Sequence, residues 1–135
     1  RQKLEGSIWD VHFGLPGVET TLTLMLNGAA AGRLSLERLV QALCETPARV
    51  YGLYPRKGTL QPGSDADLVL VDPAREHVLA DDRIVSKAGW TPYAGLRVRG
   101  AVVRTYVRGR LVAAEGRPVA EPGWGRWVRR AEASE

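Results

Sequence analysis

A single change of pattern near residue 58 constrains this 135-residue chain more than any other feature. Before it, apolar residues recur at helical spacing; after it, they gather in short Val- and Leu-rich runs bounded by turn residues. From Glu19 to Ala31 the positions Leu22, Leu24, Met25, Leu26, Ala29 and Ala30 predict a helix with a broad buried face, and Gly32 is its expected stop. Ser35 is the expected cap of a second helix, with Leu36, Leu39, Val40 and Leu43 inward and Glu37, Arg38 and Gln41 outward. Thr46-Pro47 predicts a restart, Thr46 as N-cap and Pro47 at the first helical position, with Gly52 as its end.

The second half predicts strands. The run ADLVLVD (66–72) is one strand long, and His77-Val78-Leu79 reads as a separate short edge strand. Residues 82–96 read as an irregular excursion. Residues 101–107 and 110–114 then form a hairpin around a two-residue Arg108-Gly109 turn, and Glu115-Gly116 begins another reversal. The tail from Ala120 to Glu135 is expected to lie over the surface. About four strands leave an open sheet with unpaired edges, which asks for partner strands elsewhere.

Composition narrows the class. With 44% apolar and 25% charged residues the chain has an ordinary globular balance. No apolar stretch approaches the ~20 residues that span a bilayer. The single cysteine, Cys44, rules out an internal disulfide and is expected to be small and buried. A cytoplasmic location follows as the expectation. The opening RQKLEGSIWDVHFG has no Met start and no secretory pattern, so the chain is expected to be the back end of a larger protein. Residues 97–130 carry nine arginines against Glu115 and Glu121. They are spread through a strand-like segment, not packed into one basic run, and aromatic residues do not alternate with them as on a stacking platform, so no nucleic-acid partner is expected.

No complete catalytic constellation is present. His12 and His77 form no H-x-H or H-E-x-x-H pair, and His77 reads as a surface strand residue. Asp65 and Asp67 suit a metal or an acid–base pair by spacing, but better suit a polar turn that accepts backbone N–H groups. Ser64 and Ser86 lack a nucleophile elbow. One loop stands out. Phe13-Gly14-Leu15-Pro16-Gly17 leads into the first helix, and its glycines let backbone groups approach a ligand. A plain turn into the helix is the equal alternative.

Four collinear stretches carry a resemblance: FGLPGVETTLTLMLN (13–27), GRLSLERLVQALCETPARVYGLYPRKGTLQPGSDADLVLVD (32–72), SKAGWTPYAGLRVRGAVVRTYVRGRLV (86–112) and PGWGRWVRR (122–130). Together they resemble the C-terminal part of the cyclic-amide branch of the amidohydrolase superfamily, which holds dihydroorotases, hydantoinases/dihydropyrimidinases and allantoinases. The resemblance implies an α/β fold class: residues 1–57 are the end of a (β/α)8 barrel, and residues 58–135 are the C-terminal strands of a small β-sandwich plus a tail. It implies a metal-dependent hydrolase that opens the amide bond of a cyclic ureide or imide, and a homo-oligomer when intact. The family's binuclear zinc centre uses an H-x-H pair, a carboxylated lysine, two later histidines and an aspartate. None of these can be placed here, and Asp10 lies too close to the loop for the aspartate. No metal is therefore expected on this chain alone.

What the resemblance carries over is the loop, with Gly14, Leu15, Pro16 and Gly17 as substrate-binding residues. Phe13 and the stretch 86–95 lean towards dihydroorotase, and Phe13 equally towards L-hydantoinase or allantoinase. The stretch 35–68 and the 122–130 tail lean towards hydantoinase. A non-catalytic relative acting as a scaffold, and a basic nucleic-acid-binding module, are the alternatives.

Overall fold

The computed structural model describes residues 6–10 and 14–130. Helix α1 spans Thr21–Ala30 and ends where the sequence places its stop. Gly32 has φ +71°, its N–H donates to Ala29 O, and Arg33 N–H reaches back to Gly28 O. This pair of bonds is a Schellman closure, which needs a residue at ease with positive φ. Gly52 closes the last helix in the same way, with its own N–H on Arg49 O and Leu53 N–H on Ala48 O.

Helix α2 (Leu36–Val40) is capped at the start as expected, Ser35 Oγ accepting from Arg38 N–H at 3.2 Å, and helix α3 spans Thr46–Val50. The expected restart at Thr46 does not occur. A π-helical segment, Gln41–Glu45, joins α2 to α3 without a break, and Thr46 makes no side-chain cap. Its N–H bonds instead to Gln41 O, five residues back. The physical reason is Pro47, which has no N–H and whose ring would strike the carbonyl four residues earlier in a regular α-helix. The wider π turn relieves that clash while keeping the helix continuous.

The inward face expected for this helix is also narrower than its pattern suggests. Leu39 is buried, but Leu36, Val40 and Leu43 are exposed, and so is Cys44, which was expected to be buried. Outside its own helical run, α2 packs against α1 and no other element among the described residues. One turn of contact covers one residue.

Four strands follow in the antiparallel order β1-β2-β3-β4: β1 Leu68–Val78, β2 Arg97–Val107, β3 Arg110–Ala114 and β4 Arg117–Pro118. The separate edge strand expected at His77–Leu79 is instead the continuation of β1. An irregularity between Asp72 and Glu76 absorbs Pro73, which cannot donate to a ladder. Asp72 Oδ1 accepts from Ala74 and Arg75 N–H there and carries the chain through. Arg108-Gly109 forms the expected turn, with φ +48° and +76°, and Glu115-Gly116 repeats it with φ +48° and +74°. Positive φ at both central residues is the type I′ geometry that matches strand twist.

The sheet packs on α1 mainly through β2, with a smaller contact from β1. Gly100 lies opposite the β1 irregularity, buried and with φ +103°, and a Cβ there would stand 2.5 Å from Leu26 Cβ. Around it Leu26, Val98 and Ala101 are buried, and Asn27 Oδ1 accepts from Arg99 N–H at 3.0 Å. No helix among the described residues is long and apolar enough to cross a membrane.

Replacing Gly100 by Ala combines an unfavourable φ with overpacking, so we expect a loss of roughly 2–4 kcal/mol. Gly109→Ala meets open space and is expected to cost only about 1–2 kcal/mol, from φ alone. Urea unfolding of both variants checks this, and equal losses would count against the α1–β2 contact.

Candidate functional site

The loop before α1 is built from its carbonyls outwards. Gly17 O accepts from Thr20 and Thr21 N–H at 3.2 and 3.1 Å, and from their hydroxyls at 3.2 and 2.8 Å. Two adjacent threonines thus fold one carbonyl into the helix start, with Thr20 itself buried. The rest of the loop stays open. Gly14 has φ +70° with no atom near its missing side chain, and Leu15 is exposed. Pro16 and Gly17 are half-buried. Gly14, Leu15, Pro16 and Gly17 thus form one short segment whose backbone is open at Gly14 and engaged at Gly17. Phe13 and His12 lie outside the described residues.

Glu19, two residues beyond Gly17, reaches across to the strand part. Its carboxylate accepts from Val85 N–H at 2.9 Å and from Ser86 N–H at 3.1 Å. By sequence pattern Glu19 is only the start of a helix. Its partners are 66 and 67 positions away, so no local signal points to them.

The segment that Glu19 holds is itself closed. Leu79 N–H bonds to Leu96 O and Gly95 N–H to Leu79 O, pinching the neck of the excursion. Inside it, Asp81 Oδ1 accepts from the N–H of buried Thr91 at 2.8 Å. A 3-10 turn, Asp81–Arg83, leads to Val85. Between this turn, the start of α1 and the β2–β3 face runs an open groove of about 660 Å³. The Gly14–Gly17 loop does not line it.

His77 borders this groove and differs from the expected surface residue. It is half-buried, and its Nδ1 has no partner among the described residues. Burial pushes its pKa below the ordinary histidine value, and the charges of Arg83 and Arg75 add to that. A neutral imidazole in a basic setting is a packed strand residue, not a proton donor at neutral pH.

Asp65 and Asp67 take the structural role that their context suggests. Lys57 Nζ pairs with both, Arg56 Nε pairs with Asp65 at 3.0 Å, and Asp67 Oδ1 accepts from Arg108 N–H at 2.8 Å. The linker after α3 is thereby tied to the β2–β3 turn, and Gly109 N–H on Ala66 O adds to the tie. The bond from Lys57 holds the Asp65 carboxyl below the ordinary range against a weaker effect of desolvation, with Arg56 assisting. For Asp67 desolvation pushes upward, but Lys57 and the Arg108 N–H outweigh it, and the net shift is downward. Two carboxylates already neutralised by Lys57 and Arg56 are poor ligands for a cation. No group of three or more His, Cys, Asp or Glu residues that could hold a metal ion exists among the described residues. The zinc centre that the resemblance implies does not fit these residues.

The tail docks beside the same turn. Trp124 Nε1 donates to Val107 O at 2.8 Å, and the guanidinium groups of Arg108 and Arg110 lie 4.6 and 4.9 Å from the centre of its ring.

The sequence profile of the amidohydrolase family matches residues 17–112, and the chain belongs to that family. Family members are generally metal-dependent. The chain is 46% identical to an L-hydantoinase from Paenarthrobacter aurescens over 91% of its own length and 27% of the relative's. It is 41% identical to a D-phenylhydantoinase from Escherichia coli O1:K1 over 87% of its length and 26% of the relative's. Among solved structures, a dihydropyrimidinase from Brevibacillus agri superposes with a TM-score of 0.89 at 30% identity, over 99% of this chain and 30% of the other. The chain thus spans little more than a quarter of the length of the relatives it matches. The α/β fold class stands, with barrel-end helices followed by C-terminal sandwich strands.

Because Asp65 and Asp67 titrate lower when folded, their contribution to stability is complete above their unfolded value of about 3.8 and is lost as pH falls below it. We expect the urea midpoint to drop between about pH 5 and pH 2, and Lys57→Met to flatten that drop. An unchanged pH profile in the variant would remove Lys57 from this role.

Proposed function

We infer that this chain is the C-terminal part of a metal-dependent hydrolase that opens the amide bond of a cyclic ureide or imide, of hydantoinase type. The 46% identity to an L-hydantoinase along 91% of the chain carries this reading. The division at residues 57 and 58, into barrel end and sandwich strands, belongs to the same proposal. So do a cytoplasmic location, a homo-oligomeric state and a binuclear zinc centre whose ligands lie outside the described residues. When bound, such a metal polarises the scissile carbonyl and activates water. The isolated chain is then inactive and binds no stoichiometric zinc.

Within this reading Gly14, Leu15, Pro16 and Gly17 line the substrate pocket. A cyclic ureide presents alternating N–H and C=O groups on its ring edge. Backbone without a covering side chain matches such an edge in a way that a flexible polar side chain does not. The open surroundings and positive φ of Gly14 support the assignment. The four bonds on Gly17 O supply a fixed end to the loop.

The test is a substrate panel on the full-length protein that contains this chain: hydantoins, dihydrouracil, dihydroorotate and allantoin. Ring opening of a hydantoin, abolished by chelators, is expected. Gly14→Val is expected to raise KM by about tenfold while leaving metal content unchanged. No turnover of any panel member by a folded, metal-loaded protein would favour a scaffold role instead.

A further inference from the structure

We propose that Glu19 is a positioning residue for the Gly14–Gly17 loop, and that the Leu79–Leu96 excursion is the brace against which it works. The proposal rests on the reading that this loop contacts substrate. The reason is geometric. A loop with two glycines and a single folded-in carbonyl has little to fix its direction as it leaves the helix. Its only charged neighbour on the helical side, two residues from Gly17, is Glu19. Both oxygens of that carboxylate take backbone N–H groups: Oε1 from Val85 at 2.9 Å, and Oε2 from Ser86 at 3.1 Å and Val85 at 3.2 Å. Bonds from N–H groups to an ionised carboxylate are stronger than neutral ones, and two adjacent donors also define its orientation.

The brace is rigid by its own bonds. Its neck is pinched at Leu79, Gly95 and Leu96, and Thr91 is buried and held by Asp81. Ser86, though exposed, is held locally, its carbonyl accepting from Gly89 N–H and its hydroxyl from Ala88 N–H. Backbone N–H donors on a closed loop do not swing as side-chain donors do. Glu19 therefore transmits the position of the strand part to the start of α1, and through Thr20, Thr21 and Gly17 to the loop. The strand part, which supplies no residue to the loop, takes part in substrate binding by this route.

The experiment uses the full-length protein with Glu19→Ala and Glu19→Gln, followed by amide hydrogen exchange and steady-state kinetics on hydantoin. In Glu19→Ala, exchange across residues 14–21 is expected to speed up by about tenfold, with β2 exchange unchanged. KM is expected to rise by about tenfold, with kcat within about threefold and metal content unchanged. Glu19→Gln keeps one acceptor and is expected to fall between the two. Unchanged loop exchange in Glu19→Ala overturns the brace. Faster loop exchange with an unchanged KM overturns the positioning role. If Glu19→Ala also loses β2 protection, Glu19→Gln decides, and wild-type values there overturn the proposal. A wild-type protein that turns over no cyclic amide refutes the functional reading instead, and the exchange comparison still decides whether Glu19 braces the loop.

Discussion

The rest of the structure depends on the contact between Leu26 of α1 and Gly100 of β2. It joins the helical and strand parts, and it exists because Gly100 has no side chain. Buried apolar side chains are few among the described residues: Leu26, Leu39, Ala48, Val98 and Ala101. Three of these five surround this contact. With so little buried area, hydrophobic stabilisation alone holds the two parts weakly. Close approach of backbone to helix, plus the bond from Arg99 N–H to Asn27, makes up part of the difference.

Polar ties across the same seam do the rest. Glu19 joins the start of α1 to the 85–86 backbone, and Lys57 joins the linker to Asp65 and Asp67. Asp67 in turn fixes the Arg108 turn, on which Trp124 of the tail is seated. The carboxylate ties end on backbone N–H or on a paired charge, so they specify position as well as adding energy. The exposed Leu36, Val40 and Leu43 on one side and the free edge of β1 on the other are surfaces without a partner among the described residues. That agrees with a chain spanning about a quarter of its relatives' length.

Much of this was legible residue by residue. Gly32, Ser35, Gly52 and the Arg108-Gly109 turn are local devices, and each acts where the pattern puts it. Three misreadings share one cause. Thr46-Pro47 looks like a helix start, His77–Leu79 like a separate strand, and Cys44 like a core residue. In each case the local signal was sound, but it did not decide how the chain continued or what covered it. A π turn carried the helix past Pro47, a β1 irregularity absorbed Pro73, and no layer covered the Cys44 face. The Gly14–Gly17 loop was visible because glycine and proline announce themselves. Glu19 was not, because a glutamate at the expected start of a helix has an adequate local explanation, although α1 itself begins only at Thr21.

The sequence by itself determined the order of helices and strands, the places where they stop, and the family. These follow from short-range periodicity, capping chemistry and collinear motifs, all written within a few residues of where they act. Only the tertiary structure decided that Gly100 is a contact point, that Lys57 neutralises the aspartate pair, and that Glu19 grips residues 85 and 86. Those outcomes join positions tens of residues apart. Which distant groups meet is set by how the chain packs as a whole, and no local pattern carries that information.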